Sequence, residues 1–503
     1  MSPLPSSPDS MPEWLQKRAA ISPQRLALIA GAEKWSYAEL NQLVSAWAQR
    51  LVAAGIKDGD RVALLAKNGG HFVQLAHAVP RMGGVFAPLN TRLTASEWSR
   101  LVDDLRPALL IHDETQAAKA GGLKKELPEL RCLSFEELGH YPGDSGKDAN
   151  IGESRIDLAA VHSIIYTSGT VEPKGTMLTY GNHFWNAVGS ALNLGLHSDD
   201  RWLACLPLYH VGGLTILLRS VIYGTTAVVH ESFDPAAVNR TIDEEGITIV
   251  SMVSEMLTRT LADRGERPFP PTLRQVLLGG GPVPLPLLEV CASRGLPVVQ
   301  TYGLTEAASQ AATLAPEDAS HKLGSAGKPL LPTEIRIMGD DGSLLPPGEP
   351  GEIVVRGPTV TPGYFNRPEE NELVLRGGWL HTDDIGYLDD EGYLYVLDRR
   401  DDLIISGGEN VYPAEVEAVL ESHPAVLEAG VTSYPDERWG QMVAATVKLR
   451  EEGTICEEEL LAFCAERLAS YKFPTRLRFT KELPRNAVGK LLRRVLREEW
   501  SRA

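Results

Sequence analysis

The sequence predicts an α/β protein: a large N-terminal domain of layered βαβ sheets with a small β-barrel-like part, followed by a small α+β C-terminal domain. Three observations predict it. Short apolar runs such as Asp60-Arg-Val-Ala-Leu-Leu65, Val85-Phe-Ala-Pro-Leu89 and Ala108-Leu-Leu-Ile111 alternate with helical patterns, the texture of parallel βαβ units. From Gly324 to Asp398 the residues become Gly/Pro-punctuated and alternating, as in Glu352-Ile-Val-Val-Arg356 and Tyr393-Leu-Tyr-Val-Leu397, which predicts antiparallel strands. Beyond Arg400 the pattern turns α+β, and the charged stretch Arg399-Arg-Asp-Asp402 sets a boundary between residues 1–400 and 401–503.

Length and composition agree with that division. A chain of 503 residues is too long for one core. Its 43% hydrophobic and 23% charged residues are those of a globular protein. The net charge of −17 argues against nucleic acid and against a polybasic membrane anchor, yet a local cluster of donors can still hold an anionic ligand. The start, Met1-Ser-Pro-Leu-Pro-Ser-Ser-Pro-Asp-Ser10, lacks the apolar core of a signal peptide, and no window offers the roughly 18 apolar residues of a membrane span. Five cysteines, 132, 205, 291, 456 and 464, stand without Cys-x-x-Cys spacing, as reduced thiols in a cytoplasmic protein would. A homo-oligomer is left open.

Taken in order, residues 1–12 form a Pro/Ser-rich arm, and Ser36-Tyr-Ala-Glu39 has the spacing of a capping box. Leu40, Leu43, Trp47 and Leu51 follow on one helical face, which Gly55 closes. A helix is expected around His71–Met82 and a polar loop over 140–156. Val161-His-Ser-Ile-Ile165 reads as a buried strand ending at Tyr166, and it runs into Tyr166-Thr-Ser-Gly-Thr-Val-Glu-Pro-Lys-Gly175. There the hydroxyls of Thr167, Ser168 and Thr170, the bare backbone of Gly169 and the charge of Lys174 could surround phosphate oxygens. A plain Ser/Gly/Thr surface loop has the same composition. Tyr180–Leu194 is the next helix; Trp202 begins a strand that stops at Pro207 with His210 beyond it. Ala227–His230 and Ile247–Met252 continue the rhythm, Val276 begins a strand ending in Gly279-Gly-Gly281, and Val298 begins one ending in Gly303. Past the boundary come a helix over Pro413–Ser422, a strand over Ala444–Leu449 and a helix over Cys456–Leu468.

Several of these strands end in residues that could meet at the carboxyl edge of a parallel sheet, where α/β proteins place ligands. Each has a plainer reading. His210 could only bond backbone, and Glu306 could be a solvated carboxylate at a helix start rather than a magnesium ligand beside a nucleotide phosphate. Gly279-Gly-Gly281 could be a tight turn or a face for a flat purine, and Lys490 a solvated lysine or one positioned by Pro484 and Gly489. Gly-x-x-x-x-Gly-Lys-Ser/Thr, Gly-x-Gly-x-x-Gly after a strand and Gly-x-Ser-x-Gly are all missing, which sets aside P-loop, dinucleotide and hydrolase readings.

Together and in this order the motifs resemble the adenylate-forming superfamily of acyl- and aryl-CoA ligases, luciferases and peptide-synthetase adenylation domains. They are Tyr166–Gly175, Leu206-Pro-Leu-Tyr-His-Val-Gly-Gly213, Gln300-Thr-Tyr-Gly-Leu-Thr-Glu306, Gly351-Glu-Ile-Val-Val-Arg-Gly357, Trp379-Leu-His-Thr-Asp-Asp384, Asp398-Arg-Arg-Asp-Asp402 and Pro484–Lys490. Within it the likeness is greatest to the o-succinylbenzoate–CoA ligases of menaquinone biosynthesis, carried by Thr179-Tyr-Gly-Asn-His183, Ala187–Leu196, Leu277–Pro282, Gln300–Gln310 and Ile404–Asn410. Where the superfamily's phosphate loop has Thr-Gly-Lys-Pro-Lys, this chain has the shorter Val171-Glu-Pro-Lys174.

The resemblance implies a carboxylic acid activated by ATP with Mg²⁺ and passed to coenzyme A, with 2-succinylbenzoate as the expected acid. A medium-chain or aryl acyl-CoA synthetase and a non-catalytic acyl-adenylate-binding protein are the alternatives. It implies phosphate contacts from Thr167, Ser168, Gly169, Thr170 and Lys174, with Thr305 on the α-phosphate and Glu306 on the metal. Gly279, Gly280, Gly281 and Tyr302 would pack around adenine, Thr301 and Gly303 would also bind the nucleotide, and Asp384 and Arg399 would hold the ribose. His183, Trp185, Ser190, His210, Ala307, Ser309 and Gln310 would face the acid. Lys490 would act in adenylation only; rotation of a mobile C-terminal domain about Asp401 would then bring Ser406, Gly407 and Gly408 to line the coenzyme A tunnel.

Overall fold

The computed structural model describes residues 9–143, 155–167, 174–280, 283, 285–319, 321–322, 324–339, 341–399, 404–411, 413–451, 455–484 and 493–501. Helix α1, Tyr37–Ala53, starts at the expected capping box, the Ser36 hydroxyl accepting from Glu39 N while Glu39 accepts from Ser36 N. Its buried face is Leu40, Val44, Trp47 and Leu51; Val44 takes the position expected of Leu43 because the 4-3-4 spacing keeps one side of the helix inward. Helix α2, Ala95–Leu105, begins at a second capping box of Thr94 and Glu97. Strands β1, Val161–Thr167, and β2, Lys174–Thr179, form an antiparallel hairpin at the edge of a six-stranded sheet whose other strands run parallel. Helix α3, Tyr180–Leu194, has the predicted bounds and is capped by Thr179.

The strand expected to reach Pro207 ends at Ala204, opposite the last residue of its parallel neighbour Thr226–Val229, and Asn68 then ties down the loop through Leu206 O and Leu208 N. Helix α4, Val211–Tyr223, follows His210. Strand β3, Val298–Leu304, joins the parallel part of a nine-stranded sheet, and β4, Ser309–Thr313, returns antiparallel beside it. The alternating region pairs as an open ladder: Glu334–Met338 on β5, Gly351–Arg356, then β6, Trp379–Leu388, with Leu375–Arg376 and β7, Leu394–Arg399, also on β6. The C-terminal part holds helix α5, Pro413–Glu421, and a five-stranded mixed sheet. Its strand Gly440–Leu449 extends four residues before the expected start, and the helix expected over Cys456–Leu468 is Glu457–Ala465.

One apolar cluster runs across the boundary. Leu65, Trp98, Leu101 and Leu110 from the N-terminal part share it with Ile404, Val416, Val431 and Leu477 from the C-terminal part. Apolar burial therefore contributes to the contact between the two parts. No helix among the described residues is long and apolar enough to cross a membrane.

Candidate active site

The hairpin of β1 and β2 brings Thr167 opposite Lys174, so the predicted phosphate loop is bounded by a fixed register. Residues 361–365 run along β2: Met177 N donates to Gly363 O, Phe365 N to Gly175 O and the Thr361 hydroxyl to Met177 O at 2.5 Å. The same segment binds the turn after β3, because Thr361 N donates to Glu306 O and the Tyr364 hydroxyl donates to Glu306 Oε1 at 2.8 Å. Lys174 Nζ stands 5.5 Å from the Tyr364 ring centroid. One tyrosine therefore joins the lysine that closes the loop to the carboxylate expected to take the metal.

The nucleotide side is equally ordered. A Cβ at Gly279 would stand 2.7 Å from Thr301 Cγ2, so only glycine lets that backbone lie against β3. The Thr301 hydroxyl donates towards Ala312 O and lies 2.9 Å from the Thr313 hydroxyl, bracing β3 on β4. The Tyr302 hydroxyl donates to Asp384 Oδ2 at 2.7 Å, both residues being buried. Asp384 on β6 is the register partner of Arg399 on β7, so the two residues expected at the ribose arrive from adjacent strands. These groups fit ATP: bare backbone at Gly279, and at Asp384 a buried carboxylate that can accept from hydroxyls. Among the described residues no three His, Cys, Asp or Glu side chains cluster as a metal site. A lone Glu306 suits Mg²⁺, which one carboxylate can hold together with substrate phosphates.

On the acid side the predicted residues divide. Thr305–Ala307 forms one turn of 3₁₀ helix; Ala308 and Ser309 follow at φ 56° and 104°, conformations that L-residues rarely adopt and that cluster at functional sites. Asn186 holds this turn, its amide donating to Gln310 O at 2.8 Å and Ala307 O at 3.3 Å. The buried Arg219 guanidinium donates to Asn186 Oδ1, and burial pushes that guanidinium down to about 10. Ser190 is buried beside Tyr223. His183 is packed inside: its Nε2 lies 3.1 Å from the Ser163 hydroxyl, its ring meets His162 edge-on, and burial pulls it down to about 3. Trp185, 37% exposed, packs edge-on against Phe184.

His210 looks across the boundary. Its Nε2 lies 3.2 Å from Glu409 Oε2, while Arg92 donates to Glu409 Oε1 at 2.7 Å. Burial alone would raise the Glu409 carboxyl; His210 and Arg92 outweigh burial and hold it below the usual carboxylate range. Gly408, at φ 82°, has room for no Cβ, since one would stand 2.9 Å from Val253 Cγ2. Ser406 and Gly407 precede it in the same buried hairpin, Ile404–Ser406 against Glu409–Val411.

Tyr364, Arg92 and Glu409 escaped the sequence reading. A Gly-Tyr pair after Thr361-Pro362 was a signal for the first; the Arg92–Glu409 contact joins residues 317 apart and left no local signal. Ser168, Gly169, Thr170, Gly281, Asp401 and Lys490 lie outside the described residues, as do the side chains of Thr167 and Arg399.

A family model described as AMP-binding enzyme matches residues 15–365, and one described as AMP-binding enzyme C-terminal domain matches residues 415–490. The 2-succinylbenzoate–CoA ligase of Geobacillus kaustophilus is 52% identical over 489 residues, 97% of this chain and 98% of the relative. Among solved structures, a double mutant of the o-succinylbenzoate CoA synthetase from Bacillus subtilis, bound with its product analogue OSB-NCoA, superposes with a TM-score of 0.91 at 44% identity, covering 97% of this chain and 98% of that one. The same Bacillus subtilis enzyme in complex with the acyl-adenylate intermediate OSB-AMP gives 0.75 at 44% identity, with 97% and 98% covered. Its complex with ATP and magnesium ion gives 0.74 at 43% identity, with 96% and 99% covered.

Proposed function

The chain belongs to the AMP-binding enzyme family, and we propose that it joins 2-succinylbenzoate to coenzyme A with ATP, through an acyl-adenylate, in menaquinone biosynthesis. The observation that carries this reading is the 52% identity to a 2-succinylbenzoate–CoA ligase along 97% of the chain. First the substrate carboxylate attacks the α-phosphorus of ATP; the bond to the bridging oxygen breaks, pyrophosphate leaves and the acyl-adenylate remains. Then the coenzyme A thiol, giving up its proton, attacks the acyl carbon, and AMP leaves with the electrons of the broken acyl–oxygen bond. Bound Mg²⁺ supplies neutralising charge at the phosphates.

The first step joins an anion to a polyanion, so the chain must contribute positive charge and alignment rather than a nucleophile. We assign pyrophosphate to Thr167, Ser168, Gly169, Thr170 and Lys174, and the ion to Glu306. The Lys174–Tyr364–Glu306 contacts support that pairing. Asp384 and Arg399 are assigned to the ribose, Gly279–Gly281 and Tyr302 to adenine, and Thr305 to the α-phosphate. His210 and the Asn186-held turn Ala307–Gln310 are assigned to the acid. Lys490 is assigned to adenylation, after which the part from 401 to 503 rotates about Asp401. The seating of Gly408 against Val253 and of Glu409 against His210 supports the post-rotation arrangement. Five free cysteines support a cytoplasmic setting.

Acid-dependent pyrophosphate exchange and coenzyme A consumption test the assignment over a panel of aromatic and medium-chain acids. Turnover of 2-succinylbenzoate should exceed that of benzoate by at least about tenfold, the discrimination a site built for an extra polar group provides. Turnover of a medium-chain acid without 2-succinylbenzoate would replace the substrate, and no turnover of any acid would remove the enzyme.

A further inference from the structure

A buried charge cluster at the boundary between the two parts is made of residues given no role in the reaction above. Lys472, in the C-terminal part, is 2% exposed and places Nζ 2.8 Å from Glu97 Oε1 and 3.0 Å from Glu415 Oε1. Glu97 belongs to α2 of the N-terminal part, whereas Glu415 on α5 travels with Lys472. Only the Glu97 contact crosses between them. Glu97 cannot follow a moving partner, because Oε2 accepts from Thr94 N and from the Thr94 hydroxyl, both at 2.8 Å, as the second half of the α2 capping box. The surroundings bind the same two surfaces: Ser96 donates to Arg467 O at 3.4 Å, and Asn90 donates to the Tyr471 hydroxyl at 3.4 Å under the Arg92 guanidinium.

We propose that Lys472 and Glu97 are positioning residues for thioester formation: their buried ion pair fixes the orientation in which Ser406–Glu409 faces the site. The proposal rests on the two-orientation reading given under the proposed function. A buried pair adds little net stability, since desolvation offsets attraction, but separating its members is costly and so it discriminates sharply between orientations. Of the two carboxylates on Lys472, turning the C-terminal part away leaves Glu415 in place and removes Glu97. The cost of breaking that contact therefore falls on the exit from this orientation and on no step within adenylation. The chain superposes on the product-analogue complex with a TM-score of 0.91 and on the adenylate complex with 0.75, a difference between those two structures of one enzyme.

Half-reactions measured separately on the full-length chain test it. Glu97→Gln keeps a side chain that completes the capping box but removes the charge. It should slow thioester formation from preformed 2-succinylbenzoyl-adenylate roughly 30-fold or more, as loss of one partner of a buried pair predicts, with pyrophosphate exchange unchanged within about twofold. Lys472→Met should do the same, and its melting temperature reports any loss of fold. Equal slowing of both half-reactions by Glu97→Gln, or unchanged thioester formation, would overturn the positioning role. Lys490→Ala separates the two ideas. If it abolishes exchange and spares thioester formation while Glu97→Gln does nothing, the pair alone is wrong. If Lys490→Ala stops both half-reactions, the two-orientation reading falls, and the proposal falls with it.

Discussion

The nucleotide side and the acyl side of this site are held together in different ways. Around Glu306 the contacts lie within one covalent frame: Thr361 N on Glu306 O, Phe365 N on Gly175 O and the Tyr364 hydroxyl on the carboxylate all belong to the N-terminal part. Around His210 they span the boundary, through Glu409 to Arg92 and through Lys472 to Glu97. A ladder of backbone hydrogen bonds survives the movement of a neighbour, whereas a bond between two bodies lasts only while they are docked. Chemistry that must proceed whether or not the C-terminal part is docked can use the first kind, and chemistry that needs docking can be gated by the second.

That contrast fails if substitutions on either side affect both half-reactions alike. The largest effect is expected from Glu306→Gln, which should lower pyrophosphate exchange by roughly 100-fold, as loss of a metal-anchoring carboxylate does, while thioester formation from preformed adenylate stays within a few fold. Next, Glu409→Gln leaves Arg92 and His210 facing a neutral amide. It should cost thioester formation about tenfold and leave exchange alone, and a loss confined to exchange would break the comparison. Tyr364→Phe removes one hydrogen bond to Glu306 and should cost exchange about five- to tenfold with little change in melting temperature.

Acid sharpens the contrast from another direction. Burial holds His77 at about 4 and His183 at about 3, below the ordinary 6.5. Both are therefore neutral when folded, and the unfolded chain takes up protons first as pH falls. Their contribution is complete above the unfolded value and is lost as pH drops towards the folded one, roughly 3 kcal/mol for His77 by pH 4. Melting temperature should fall between pH 6.5 and 4.5, and a His77→Gln variant should show a flatter profile. A profile that stays level in the parent chain would contradict the buried neutral rings. The smallest effect is local: Ser36→Ala removes a helix cap and should lower unfolding free energy by about 1 kcal/mol in denaturant titration, with both half-reactions intact.

Which features were legible follows from range. Ser36–Glu39 and Thr179 announce their helices because a cap needs residues three apart, and the bounds of α3 follow from Thr179 at one end and Gly195 at the other. The parallel strands were visible as apolar runs, whereas the pairing of Asp384 with Arg399 on adjacent strands was not. What sequence could not give was pairing at a distance. His183 sits among aromatic neighbours that suggest a pocket, yet Ser163 and His162 from β1 close it in. Lys472 follows a tyrosine in a stretch with no catalytic texture, and both of its carboxylates are far away in sequence. Charge clusters assembled by docking leave no periodic trace.

Glu97 carries two obligations on two oxygens. One starts a helix, and the other receives a lysine from 375 residues away. Variation at this position is thereby constrained twice over: a change that relaxes the grip on Lys472 is also screened for its effect on the first turn of α2. Glutamine satisfies the turn while loosening the grip, so drift towards faster release of the C-terminal part has a narrow exit, through one amide.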